Sequence, residues 1–361
     1  MDVIIERACG MDIHKDSITA CVVTPEGKEI QTFSTNTIFL LQLIDWIKQH
    51  GCTHVAMEST GVYWKPIVNL LEAEDIEFLV VNAKHIKTVP GRKTDVKDSE
   101  WIAKLLRHGL LKANFIPDRT QRELRELVRY RRSIIEESAR QQNRIQKVLE
   151  GANIKLGSVV SEIIGDSSLE MLRAIADGEE DSIKLASFAR RTLKKKKDEL
   201  ELALYGYISP HQRMMLKTIL NHIDFLKEQI EMLDHEVAKR VSEYQEDVER
   251  LDSIPGIATL MAEQILSEVG TNVKEQFPSA PHMCSWAGLV PGNNESAGKR
   301  KSSKTRKGNK YLKSALIEAA HSVRGSKNYL GALYRRMLLE KVKNEQALLS
   351  LTQCYVLLII Y

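Results

Sequence analysis

The chain has 361 residues, 43% of them hydrophobic and 28% charged, with a formal net charge of +4; that is length enough for two or three domains with sizeable cores, and a whole-chain charge too small to name a partner. Cys9, Cys21, Cys52, Cys284 and Cys354 are scattered with no C-x-x-C pair, which argues against a zinc knuckle or a disulfide framework and fits a reducing cytoplasm. Residues 1–7 carry Asp2 and Glu6 before a short apolar run, so no signal peptide is expected, and no run of about 18 apolar residues announces a membrane span.

In chain order, "RACGMDI" and "SITACVVT" read as strands around a polar break at 14–16, with Pro25-Glu26-Gly27 as the next turn, a hairpin signal. Helical periodicity follows over 38–50; "THVAMEST" reads as a short buried strand, "YWKPIVNLLEAE" as a helix, "IEFLVVN" as a strand and "DVKDSEWIAKLLRHGLL" as an amphipathic helix. This order predicts an α/β domain with a mixed sheet over residues 1–118. A long polar helix is expected over 119–150 and short helices over 158–205. Ser209-Pro210 is a helix start, with a capping hydroxyl and then proline at the first helical position. Beyond it Leu216, Ile219, Ile223, Leu226, Ile230, Leu233, Val237, Tyr244, Val248 and Leu251 step by three, four or seven. That seam reads either as a helical hairpin packed on itself or as a dimerisation coiled coil, so 119–250 is taken as a helical, coiled-coil region. Residues 251–361 read as a mostly helical C-terminal domain. It opens on "SIPGI", either a helix-hairpin-helix whose turn amides can bind a phosphate or a bare corner between helices, and it continues into a Gly/Asn/Ser-rich basic loop and a helix from about Lys310. The final "YVLLIIY" is an apolar run of the kind found inside packed elements, so a truncated form is an open reading.

Four acids carry the chemistry of the first domain. Asp12 lies on the first strand, Glu58 ends "HVAME", and Asp95 and Asp98 stand three apart at a helix start, on one face. A sheet that sets the first strand beside "HVAME" brings Asp12 and Glu58 together, with the helix able to pack across their ends. Carboxylates so gathered repel one another unless cations hold them, and oxygen-only ligands suit Mg²⁺ or Mn²⁺. Two such ions can clamp the attacking and leaving oxygens of a phosphodiester. Taken singly, each acid has a plainer role: Asp12 as a strand-end acceptor, Glu58 capping the Ser-Thr-Gly turn, Asp95 favoured by the helix dipole, Asp98 simply solvated. Tyr63 and Trp64 could stack on a base or pack the first turn of their helix, and His14, His108 and His321 show no ligand spacing with one another.

The order Asp12, Glu58, Asp95, Asp98, set in "GMDIHKDSITACVV", "MESTGVYWKPI" and "KTDVKDSEWIAKLLRHGLL", resembles the insertion-sequence-110 (DEDD) family of transposases. "SIPGIATLMAEQIL", "WAGLVPGNNESAGK" and "KGNKYLKSALIEAA" resemble that family's C-terminal domain. The resemblance implies an RNase H-like, RuvC-like N-terminal domain with Asp12, Glu58, Asp95 and Asp98 as catalytic metal ligands, Mg²⁺ (or Mn²⁺) as cofactor and recombination of donor and target DNA. It further implies a structured non-coding bridge RNA that supplies sequence by base pairing, and dimers assembling to tetramers.

"NNESAGKRKSSKTRKGNKYLK" sets eight Lys or Arg against one Glu. Such a segment can be a solvated surface loop; small residues also let its backbone approach phosphate closely, with strongly salt-dependent affinity. Lys299, Arg300, Lys304, Arg306, Lys307 and Lys310 are its candidate nucleic-acid contacts. Lys84, His85, Lys87, Arg92 and Lys93, just before Asp95, read as solvated or as strand-positioning contacts. In the resembled family a serine at the position of Ser296 attacks a DNA phosphodiester and forms a covalent phosphoserine; here Ala297 stands where the family writes glycine, and Ser302 and Ser303 are rivals. A hydroxyl needs activation and no adjacent histidine supplies it, so a composite site with the four acids is expected. Two other readings stay open: a RuvC-like endonuclease that hydrolyses junctions without a covalent step, and a non-catalytic nucleic-acid-binding protein.

Overall fold

The computed structural model describes residues 3–58, 61–82, 98–290, 294–296, 299–302, 305, 307–340 and 344–360. The chain divides into two compact units, Met1–Arg119 and Thr120–Tyr361.

The first unit is built on a five-stranded sheet. Strands β1 (Ala8–Ile13), β2 (Ser17–Thr24) and β3 (Gly27–Ser34) form an antiparallel meander, and β4 (His54–Glu58) and β5 (Glu77–Val81) add in parallel beyond β1, giving the order β3-β2-β1-β4-β5. The alternation of β1 assigns its two faces. Cys9, Met11 and Ile13 join Val55, Met57 and Val80 in one core layer, against helices α1 (Thr37–Gln49) and α2 (Lys65–Ala73) through Leu43, Ile44, Ile47, Ile67 and Leu71. Ala8, Ala56 and Val81 face the other way, onto Ile102, Leu105 and Leu106 of helix α3 (Asp98–Arg107). The predicted mixed sheet is present, with helices on both faces.

α3 lies unusually close to β1, and Gly10 is the reason. A Cβ on Gly10 would stand 2.2 Å from the Ser99 carbonyl oxygen and 2.3 Å from the Ala103 nitrogen, both backbone atoms. Gly10→Ala therefore has to push α3 off the sheet. It is expected to lower unfolding free energy by about 3 kcal/mol or more in urea titration; an unchanged midpoint would show that α3 can shift freely. The same helix is pinned by Glu100, which is buried and accepts from Lys104 Nζ at 2.6 Å and Lys28 Nζ at 2.9 Å. The hydrogen bonds from Lys104 and then Lys28 hold its carboxyl down at about 2.

Among its described residues the second unit is helical apart from one hairpin. Helix α4 (Arg119–Gly151) runs through it. The C-terminal end of α4 buries Ile145 and Leu149 in a core completed by short helices between 156 and 204 and by Leu216, Ile219 and Ile223 of helix α5 (Pro210–Val241). Ser209 and Gln212 form the expected cap: the Gln212 N–H donates to Ser209 Oγ at 3.2 Å, and the Ser209 N–H to Gln212 Oε1 at 2.8 Å. The first half of the apolar seam is thus spent inside this chain's own core. Ile230 and Leu233 stay half-buried, and Phe225 and Met232, seven residues apart, are exposed.

The rest of the unit packs helices α6 (Gln245–Asp252), α7 (Thr259–Val269), α8 (Ala280–Trp286), α9 (Lys310–Val323), α10 (Tyr329–Leu339) and α11 (Asn344–Ile360). "SIPGI" is the corner between α6 and α7. Gly256, at φ +92°, has only 2.8 Å between an added Cβ and the Ala319 carbonyl oxygen of α9. The Tyr355 hydroxyl donates to the Pro255 carbonyl at 2.6 Å, and the Ile257 N–H to Ile254 at 3.0 Å. Through these contacts the turn packs against α9 and α11. The apolar terminal run lies in α11, with Leu351, Tyr355 and Val356 fully buried.

Candidate active site and nucleic-acid interface

β1 and β4 run parallel with Met11 opposite Met57, so the next residues along, Asp12 and Glu58, lie at the same level near the ends of neighbouring strands. Both follow the alternation that points Gly10 and Ala56 toward α3. Asp12 is only partly exposed at 24%, and its Oδ2 lies 3.3 Å from His14 Nε2. Asp98 is the first residue of α3, on this same face, with one carboxylate oxygen enclosed by protein. The Gly10 contact fixes how closely that helix start approaches the strands. Asp95, and with it Lys84, His85, Lys87, Arg92 and Lys93, lies outside the described residues.

The donors fit a hard divalent cation. Mg²⁺ keeps most of its waters and is held by one or two carboxylates together with substrate phosphate. Two adjacent, half-exposed carboxylates at the carboxyl ends of parallel strands offer that. Among the described residues no group of three or more His, Cys, Asp or Glu side chains could hold an ion by itself.

The basic segment expected as a loop is a β-hairpin. β6 (Asn294–Ser296) pairs antiparallel with β7 (Lys299–Ser302), Ser296 opposite Lys299 and Glu295 opposite Arg300. Both strands are polar throughout, so no apolar face announces them in the sequence. Ser303, Lys304 and Arg306 lie outside the described residues, while Lys307 and Lys310 are exposed just after the hairpin.

The base of this hairpin is held tightly. Gly308 sits against the Gly288 nitrogen, 2.2 Å from where its Cβ would be, and the Asn309 N–H donates to the Trp286 carbonyl at 2.9 Å. Lys313 Nζ donates to the Gly288 carbonyl at 3.1 Å and to Thr305 Oγ1 at 2.9 Å. Asn309 caps α9, accepting from the Tyr311 and Leu312 N–H groups at 3.0 and 3.1 Å. Its own amide donates to Glu268 Oε2 at 2.6 Å. Glu268 is fully buried. It accepts a forked pair from Arg129, Nε at 2.7 Å and Nη2 at 2.8 Å, while Arg125 donates to the Ser267 and Glu268 carbonyls at 3.1 and 2.7 Å. Arg129 also stacks 4.4 Å over the Tyr311 ring. Burial pushes the Arg125 guanidinium down to about 10, against the pull of Glu268.

Two groups were missed from sequence. His14 is two residues from Asp12, and the period of two along an extended chain is the signal that links them; spacing between histidines does not carry it. Glu268 and its arginines are more than 130 residues apart, and only "EVG" ending an apolar helix hinted at an acid inside a core.

The comparisons agree across both units. Residues 9–154 match a transposase family model, the DEDD transposase of IS110, and residues 248–335 match the transposase IS116/IS110/IS902 family. The chain is 23% identical over 325 residues to a pilin gene-inverting protein of Moraxella lacunata, covering 86% of this chain and 81% of that protein. It is also 23% identical over 326 residues to the transposase for insertion sequence element IS1111A of Coxiella burnetii, covering 88% and 78%. Among the described residues no helix is long and apolar enough to cross a membrane. Matched by one family in its carboxylate-bearing half and again in its serine-bearing half, the chain belongs to the IS110 family of transposases and is a DNA transposase-recombinase.

Proposed function

We propose that this transposase cuts and rejoins strands by direct transesterification, with Ser296 as nucleophile and Asp12, Glu58, Asp95 and Asp98 as ligands of Mg²⁺ or Mn²⁺. The observation that carries the reading is the pairing of β1 with β4, which sets Asp12 beside Glu58. The sheet order β3-β2-β1-β4-β5, with β2 alone antiparallel to the rest, supports an RNase H-like, RuvC-like domain. Held by these carboxylates, a divalent ion would supply neutralisation of the phosphate charge and polarisation of the phosphorus. In the step itself one Oγ–P bond forms as one P–O bond of the DNA breaks, and the serine proton leaves to solvent or to the departing oxygen. The number of phosphate esters is conserved, so resealing needs no external energy source. Lys299, Arg300, Lys304, Arg306, Lys307 and Lys310 hold phosphates around the serine, and Lys84, Lys87, Arg92 and Lys93 do so around the carboxylates. Base pairing through a bridge RNA supplies sequence. The protein acts as a homodimer assembling to a tetramer, for which the exposed Phe225 and Met232 on α5 offer a helix face.

The test is the covalent product. End-labelled DNA of the element's junction, incubated with protein, its co-purified RNA and Mg²⁺, is expected to give a protease-sensitive adduct on denaturing gels that Ser296→Ala abolishes. An adduct surviving in Ser296→Ala moves the role to Ser302 or Ser303. Metal-dependent cleavage with no adduct at all would make the protein a hydrolytic endonuclease, and neither product a non-catalytic binder.

A further inference from the structure

A cavity of about 230 Å³ opens at the end of β1, lined by His14, Lys15, Ile18, Leu40, Tyr63 and Ile67 among others. It is smaller than the pockets of about 300 Å³ and upward that hold drug-sized ligands, and suits one planar ring system. The floor is apolar: Ile18, Leu40 and Ile67 are buried core residues. The rim is not. Tyr63 presents an aromatic side chain, 40% exposed, in a segment entered through Gly61 at φ +54°. The Cβ position of Gly61 lies 3.7 Å from the Tyr63 ring. Lys15 is exposed on the turn from β1 to β2, and that turn is tied down by Thr35, whose Oγ1 donates to the Lys15 carbonyl at 2.9 Å. The cavity lies on the α1/α2 side of the sheet, and His14, at the strand end, connects it to Asp12: the same imidazole that lines it lies 3.3 Å from the Asp12 carboxylate.

We propose that this cavity receives a single unstacked nucleobase of the nucleotide next to the phosphodiester being cut, with Tyr63 as the stacking surface and Lys15 on the flanking phosphate. The inference rests on the carboxylate site being where DNA is cut. Stacking on an aromatic side chain requires no particular base, so the pocket would fix the position of the scissile phosphate without reading sequence. That suits an enzyme whose sequence is read elsewhere. Of the pair considered from sequence, Trp64 is taken up by packing against the core beneath α2, which leaves Tyr63 for the ligand.

The probe is a single-stranded 12-mer with one central 2-aminopurine, titrated with full-length protein in Ca²⁺. Wild-type protein is expected to quench the fluorophore. Tyr63→Ala should weaken binding by roughly 5- to 150-fold, the range for loss of one stacked base, and abolish the quench, while Tyr63→Phe stays within about twofold of wild type. The same oligonucleotide with an abasic site should bind wild type and Tyr63→Ala alike. Lys15→Met should reduce the slope of log affinity against log salt by about 1. A wild-type protein that does not quench, a Tyr63→Ala protein that binds normally, or an abasic probe showing the same loss would each overturn the pocket. Failure of the metal reading is seen separately, as unchanged strand cleavage in Asp12→Asn.

Discussion

Asp12→Asn is expected to reduce strand cleavage and adduct formation by roughly 10³-fold or more while leaving the thermal midpoint within about 2 °C of wild type. The activity figure follows from the proposed role of Asp12, since asparagine would remove one negative charge from a bound ion. Electrostatic stabilisation by a bound divalent ion is worth several kcal/mol in the transition state, and each 1.36 kcal/mol is tenfold in rate. The stability figure follows from where the side chain sits. Asp12 is near a strand end and partly exposed, and its neighbour His14 has a side chain 66% exposed; even a charged pair so exposed contributes only about 0–1 kcal/mol. Asparagine is nearly isosteric, so the β1–β4 pairing should survive. The check has two arms: cleavage kinetics, and Mn²⁺ affinity by electron paramagnetic resonance on the DNA-free protein, which should weaken in the variant. Normal cleavage with normal Mn²⁺ affinity would remove Asp12 from the site. A midpoint lowered by more than about 5 °C would mean that the acid is a structural acceptor, as a strand-end aspartate can be.

The first unit was readable from sequence because its signals are local. Alternating apolar residues in "RACGMDI" and "THVAME" mark buried strands, and parallel pairing of the two then places Asp12 beside Glu58 with no long-range information beyond strand order. The closeness of α3 was not readable: "CGMDI" contains a glycine, but only the Ser99 carbonyl 2.2 Å from its absent Cβ shows what that glycine is for. In the second unit the heptad seam was visible, yet it could not say what covers it. Leu216, Ile219 and Ile223 turn out to meet helices lying before α5 in the chain. The basic hairpin has the sequence texture of a loop because charge and glycine dominate it, and strand pairing between polar strands leaves no hydrophobic pattern. Glu268 was invisible for a different reason. A buried acid looks like any surface acid until its partners are known, and Arg125, Arg129 and Asn309 are drawn from two distant stretches of chain.

Those partners set the other large effect. Glu268→Ala should lower unfolding free energy by about 3–5 kcal/mol, the usual consequence of breaking a buried ion pair from one side, because Arg129 loses both oxygens of its fork and the largely covered Arg125 loses its nearby carboxylate. Glu268→Gln keeps the shape and one acceptor, and should lose about 1–3 kcal/mol. The damage should not stop at stability. Glu268 holds the Asn309 amide, Asn309 starts α9, and its N–H closes the base of the hairpin on Trp286, so the hairpin that carries Ser296 inherits its orientation from this acid. Adduct formation by Glu268→Gln, measured at a temperature where the protein remains folded, should therefore fall well below that of Leu172→Ala. The latter opens a cavity in the separate core between α4 and α5 and should be at least as destabilising, by about 2–5 kcal/mol. Equal adduct yields from the two variants at matched stability would mean that the Glu268 cluster holds the fold together without aiming the hairpin. A selective loss in Glu268→Gln, reproduced by Asn309→Ala, would trace the orientation of Ser296 to a carboxylate that no DNA strand needs to touch.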